Sequence, residues 1–185
     1  MPLSNRLSIA LLVILLGWGQ PSWGTVTARF DPAADTQMVG SSFTIDIVAD
    51  IPETEPVLGW GLDLTIDDPA IISQVGSPVI GPLWYATSAP DGDELAALAF
   101  PDNVWGDDVL LATISFSADA VGQTDLLLSV TDGDLTEGFP LDPTGFAEVT
   151  FEPGDVTVIP EPLAVILLAM MAGFLAVRRR WHRCS

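Results

Sequence analysis

Two short acidic steps are the clearest places where this sequence could do chemistry. Asp91-Gly92-Asp93-Glu94 and Asp132-Gly133-Asp134 set carboxylates two residues apart around a glycine, inside stretches rich in Pro, Gly and Asp. Closely spaced carboxylates on a loop can ligate calcium, a hard cation that takes oxygen donors. Asp91, Asp93, Asp132 and Asp134 are therefore the candidate calcium ligands. Neither step has the D-x-[DN]-x-[DN]-G order of an EF-hand loop, because glycine precedes the second Asp. The plainer reading is a solvated turn, and both readings stand at this level. Two carboxylates could also hydrolyse a glycoside, given an acid and a base or nucleophile facing each other roughly 5 to 9.5 Å apart. No long insertion suggests a cleft to hold them, so a non-enzymatic protein is expected. Aromatics form the second group. Trp84, Tyr85 and Trp105 lie among Pro, Gly and Asp, where exposed rings could stack on sugars or anchor a protein partner. Packing under loops is the alternative for all three.

Other chemistry is closed by the residues that are missing. The 185-residue chain has no lysine, and its one histidine and one cysteine, His182 and Cys184, lie at the extreme C-terminus. The central region thus lacks the usual nucleophile–base pairs, the commonest zinc ligands and any internal disulfide. Between residues 25 and 159 there are 24 acidic residues against Arg29 alone, a formal charge of −23, more extreme than the −19 of the whole chain. Such a surface repels phosphate backbones, which excludes nucleic-acid binding. It also keeps a domain soluble.

The remaining bases sit at the two ends, beside apolar runs. Residues 1–24 read as a signal peptide: a short region with Arg6, the stretch "LSIALLVILLGWG", then small residues at Ser22 and Gly24, with cleavage by a signal peptidase expected after Gly24. At the other end Leu163–Val177 is an uncharged run that would extend about 22 Å as a helix, a short membrane span. Pro160 and Pro162 stop it upstream. Arg178, Arg179 and Arg180 hold its far end in the cytoplasm and leave the acidic region outside.

The pattern "IPEP", apolar run, "RRR" resembles the PEP-CTERM sorting signal of Gram-negative bacteria. That resemblance implies that Pro160, Glu161 and Pro162 are the tripeptide recognised by an exosortase, with Arg178 to Arg180 as the basic stop. It also implies a membrane-inserted precursor, a product at the cell surface, outer membrane or extracellular matrix, and a host that makes exopolysaccharide.

The elements that must position the candidate residues follow a period of two. "TVTARF", "SFTIDIVAD", "GWGLDLTID", "ELAALAF", "VLLATISFSA", "DLLLSVTD", "FAEVTF" and "DVTVI" alternate apolar and polar residues between turn sequences such as "DPAAD", "APDGDE" and "LDPTG". The alternation puts Trp60, Leu62, Leu64 and Ile66 on one face. It does the same for Leu110, Ala112, Ile114 and Phe116, and for Leu126, Leu128 and Val130. About eight such strands without an amphipathic helix predict an all-β, antiparallel β-sandwich across residues 25–159, with 160–185 as the sorting segment.

The succession "VGSSFTIDIVAD", "GWGLDLTIDDPAIISQVG", "DDVLLATISFSADAVGQTDLLLSVTDG" resembles a cohesin-like module of jelly-roll type. That resemblance implies adhesion through a protein partner such as a dockerin-like module, on a flat sheet face carrying exposed apolar residues. The alternative is a carbohydrate-binding or structural protein of an exopolysaccharide matrix, possible with calcium, in which Trp84, Tyr85 and Trp105 form an exposed row.

Overall fold

The computed structural model describes residues 24–87, 95–162 and 170. Thirteen strands, numbered in chain order, are found among these residues. The larger sheet runs β12 (Glu148–Phe151), β1 (Thr25–Asp31), β3 (Ser42–Ile51), β10 (Gly106–Ala118) and β6 (Ile72–Gln74), with β7 (Val79–Ile80) also pairing with β10. The second sheet runs β2 (Ala34–Met38), β13 (Gly154–Ile159), β11 (Gly122–Ser129) and β5 (Asp63–Ile66). A small third sheet joins β4 (Gly59–Gly61), β9 (Ala96–Leu98) and β8 (Tyr85–Ala86).

The core lies where the alternation puts it. Val26, Ala28 and Phe30 of β1, Ile45, Ile47 and Ala49 of β3, and Ile114 and Phe116 of β10 are buried. So are Leu126 and Leu128 of β11 and Val156 and Val158 of β13. Each fully buried side chain of this size contributes about 1.5–3 kcal/mol. Phe43 and Phe116, opposite each other in register, stack with ring centroids 5.5 Å apart. Buried Thr124 is matched: its hydroxyl accepts the Asp68 N–H at 2.8 Å.

Three expectations fail locally, each for a stated reason. "GWGLDLTID" is two strands in different sheets, because Gly61 pairs with Ala96 whereas Asp63 pairs with Ser129. On β10 the register shifts between Leu110 and Ala112, so Leu111 is an extra residue opposite Val48 and Ile47. Such a bulge turns one residue's side chain over. Leu111 is fully buried in consequence and Leu110 only half-buried. Val130, expected to continue the inward row of Leu126 and Leu128, lies past the end of β11 and is exposed. In addition β2 begins inside the turn sequence "DPAAD" and presents no buried apolar row, so its pattern carries little signal. The expected antiparallel pairing also fails at two sheet edges, where β2 runs parallel to β13 and β12 parallel to β1.

Arg29 on β1 is an element of the fold. Its guanidinium donates to Asp50 Oδ2 at 2.9 Å on the neighbouring β3 and also contacts Asp108. Asp108 takes a left-handed φ of +52° that brings its own N–H to Asp50 Oδ1 at 2.9 Å. That backbone donor, with Arg29, holds the Asp50 carboxyl below its usual range despite the opposing effect of burial.

The chain enters and leaves at opposite ends. Gly24 packs on Pro52, just beyond the last residue of β3. Ile159 accepts the Val39 N–H at 3.0 Å, just before the first residue of β3. The ten residues of β3 span about 30 Å between them.

Two measurements check this fold. In urea unfolding, Leu111→Ala should cost about 2–5 kcal/mol and Leu110→Ala distinctly less, an order that an unbulged strand would reverse. Asp50→Asn should cost about 0.5–1 kcal/mol at pH 7, since the pair is part-exposed. Because the folded pKa of Asp50 lies below its unfolded value, that gap should be full above the ordinary carboxylate range. It should close as pH falls through the depressed folded value.

Candidate functional site

The site is built at the end of the sandwich where the chain enters. β4 follows β3 there, and the 135–147 segment closes over it through three backbone bonds. Gly61 and Gly138 exchange N–H···O=C bonds of 3.0 and 2.7 Å, and Leu58 N donates to Pro140 O at 2.8 Å. Only glycine permits this approach at position 61, where an added Cβ would sit 2.2 Å from the Thr136 carbonyl oxygen.

Between Gly59 and Gly61, Trp60 points into the core and meets Trp84 edge to face, with centroids 6.4 Å apart and planes at 85°. Edge-to-face contact suits the ring quadrupoles. Trp84 Nε1 donates to Leu110 O at 2.8 Å, whereas Trp60 Nε1 is buried without an acceptor among the described residues.

Above Trp60 lies a cavity of about 280 Å³. Leu98, Leu135 and Phe146 form its apolar rim, and Thr87 and Thr136 supply hydroxyls. Tyr85 stands beside the rim as the cross-strand partner of Leu98. Tyr85, Leu98, Leu135 and Phe146 are 63, 51, 81 and 43% exposed, so this end of the domain carries a cluster of large apolar side chains in water. A cluster of that kind marks an interaction site more often than isolated surface apolar residues do. Asp134 stands next to Leu135 and accepts both the N–H and the hydroxyl of Thr136, at 2.8 and 2.7 Å. Those bonds hold its carboxyl below the usual range.

The residues singled out in the sequence fall into three groups. Trp84 is core, so it forms no exposed row with Tyr85 and Trp105, which are both exposed. Asp132 and Asp134 bracket the turn before Leu135, and among the described residues no three His, Cys, Asp or Glu groups are placed to hold a metal ion. Asp91 and Asp93, the span Leu163–Val177 apart from Met170, and Arg178 to Arg180 lie outside the described residues. Pro160, Glu161 and Pro162 are exposed directly after β13. Among the described residues no helix is long and apolar enough to cross a membrane.

The outer side of the second sheet is not the flat apolar face that the cohesin-like resemblance implies. The outer side of the second sheet carries Thr36, Thr65, Gln123, Asp125, Asp155 and Thr157, with Leu127 among them and Met38 and Ile159 at one end. Leu98, Leu135 and Phe146 went unnoticed in the sequence. The available signal was an apolar residue stranded inside an acidic turn, as Leu135 is in "TDGDLTEG".

No family model and no curated protein matches this chain. Among solved structures, the chain is similar to a cohesin module from a family 33 glycoside hydrolase of Clostridium perfringens. The TM-score is 0.56 at 10% identity, covering 75% of this chain and 98% of that module. A non-cellulosomal cohesin from the hyperthermophilic archaeon Archaeoglobus fulgidus aligns with a TM-score of 0.49 at 14% identity, covering 76% and 94%. A type II cohesin from the Acetivibrio cellulolyticus cellulosome aligns at 0.45 and 12%, covering 71% and 94%. At such identities it is the fold that is shared: the described domain is an all-β sandwich of the cohesin kind.

The close approach at position 61 is directly testable. Gly61→Ala should destabilise the domain by about 1–3 kcal/mol or more in urea unfolding, whereas a wild-type midpoint would mean that the 135–147 segment does not close on β4.

Proposed function

We propose that this chain is an exported, non-enzymatic adhesion protein whose cohesin-like sandwich binds a protein partner at the cell surface or in an extracellular matrix. The observation that carries the reading is the cohesin-type fold, which covers almost the whole length of a cohesin module. A dockerin-like module is the partner class the fold favours. The alternative, carbohydrate binding on a row of three aromatics, loses its central member, because Trp84 is buried and bonded to Leu110.

Catalysis is disfavoured by the same chemistry. The domain has no histidine, cysteine or lysine. Among the described residues the carboxylates displaced from their ordinary range, Asp50, Asp119 and Asp134, are held low. A general acid for glycoside hydrolysis needs the opposite displacement.

Delivery rests on the two ends of the chain. A signal peptide cut after Gly24 exports the domain, and the PEP-CTERM-like segment 160–185 holds the precursor in the membrane until an exosortase acts at Pro160-Glu161-Pro162. An exposed tripeptide directly after β13 suits that step, since a protease can reach it without unfolding the sandwich.

Intact-mass analysis of the surface form should show a chain beginning at Thr25 and lacking the residues beyond the Pro-Glu-Pro region, with Glu161→Ala retaining the tail. A full-length tail on the wild-type surface protein would overturn the delivery scheme. Titration of the exported chain with dockerin modules and with purified exopolysaccharide tests the binding: saturable binding to the polysaccharide alone would overturn the protein-binding reading.

A further inference from the structure

Resting on the protein-binding reading above, we infer that the partner docks on the end of the sandwich rather than on a sheet face. The dock is the cavity ringed by Leu98, Leu135 and Phe146 with Tyr85 beside it. Its occupant is a partner segment that inserts an aromatic or aliphatic side chain flanked by lysine or arginine.

Three observations carry this. The first is the distribution of apolar surface. The end cluster combines four large exposed side chains with a cavity floored by buried Trp60, whereas the outer side of the second sheet is mostly hydroxyl, amide and carboxylate. A pocket that takes one bulky anchor inside an apolar ring is the arrangement on which binding energy concentrates.

The second is charge. Exposed or part-exposed Asp132, Asp134, Asp142 and Glu148 lie within three residues of the rim residues Leu135 and Phe146 or of Leu141 beneath them. No lysine exists to neutralise them, and Arg29 is engaged by Asp50 and Asp108. Cationic groups on a partner would complement this rim. The same charge disfavours a second copy of this chain as the occupant, since two domains at −23 repel.

The third is position. The dock lies at the end where Gly24 enters, about 30 Å from Ile159, where the chain departs toward the sorting segment. A domain held by that segment presents the dock outward.

The experiment selects a random displayed peptide library against the full chain in detergent. Three forms are compared: wild type, a dock variant (Leu98→Ser with Leu135→Ser) and a sheet-face variant (Leu127→Ser with Thr157→Arg). Both altered sets are solvent-facing, and unfolding midpoints are compared to confirm that each variant folds. Enriched peptides should carry an aromatic or aliphatic residue between lysines or arginines. They should lose affinity about tenfold or more in the dock variant, keep it in the sheet-face variant, and bind more weakly at high salt. Peptides sensitive only to the sheet-face variant would overturn the dock and leave the protein-binding reading intact. Enrichment of acidic or uncharged peptides, or none, would overturn the inference. If a purified exopolysaccharide bound at the dock while no peptide did, the protein-binding reading would fall with it.

Discussion

The apolar seam between the two large sheets is what this domain depends on. It has no disulfide, its single arginine makes its only described ion pairs, and its formal charge of −23 works against compactness. What opposes that repulsion is the burial of Val26, Phe30, Ile45, Ile47, Ile114 and Phe116 from one sheet against Leu126, Leu128, Val156 and Val158 from the other. The central contact is the long pairing of β3 with β10, where inward residues of both strands meet in register and Phe43 stacks on Phe116. Charge then goes where burial does not need the space: onto outward faces, turns and the rim of the end cavity.

The end cavity is a consequence of how the sandwich is closed. β3 runs out at Ile51, and the following chain turns into β4 instead of crossing at once to the second sheet. Two glycines around Trp60 let backbone approach backbone on either side, Ala97 and Leu98 at Gly59 and Thr136 at Gly61. Trp60 and Trp84 fill the space beneath, and among the described residues no further layer packs on the side chains above them. Leu98, Leu135 and Phe146 are left in water for that reason. The acidic charge around this apolar cluster works against self-association.

Much of the fold was legible because period-two alternation reports directly on which side of a strand is buried. β1, β3, β11 and β13 read correctly from residues such as Val26, Ala28 and Phe30, and the all-β class followed from them. The site was far less legible. Trp84 sits among Pro, Gly and Tyr, a setting that reads as exposed loop, yet its indole bonds to Leu110 on a strand 26 residues away. Leu110 and Leu111 are both leucine, so nothing local says which faces inward; the bulge against Val48 and Ile47 settles it. Leu135 is a single apolar residue in a polar turn and Phe146 opens the run "FAEVTF", and no pattern joins either to Leu98.

By itself, the sequence determined the layer architecture, the extreme negative charge, the absence of nucleophile–base chemistry and the bases at both ends, because each is a property of residue types or of neighbours along the chain. Only the tertiary structure decided the strand order, the burial of Trp84, the exposure of the Leu98–Leu135–Phe146 ring and the separation of entry and exit. Those depend on residues tens of positions apart meeting across a sheet or a closing loop, and local spacing carries no record of such meetings.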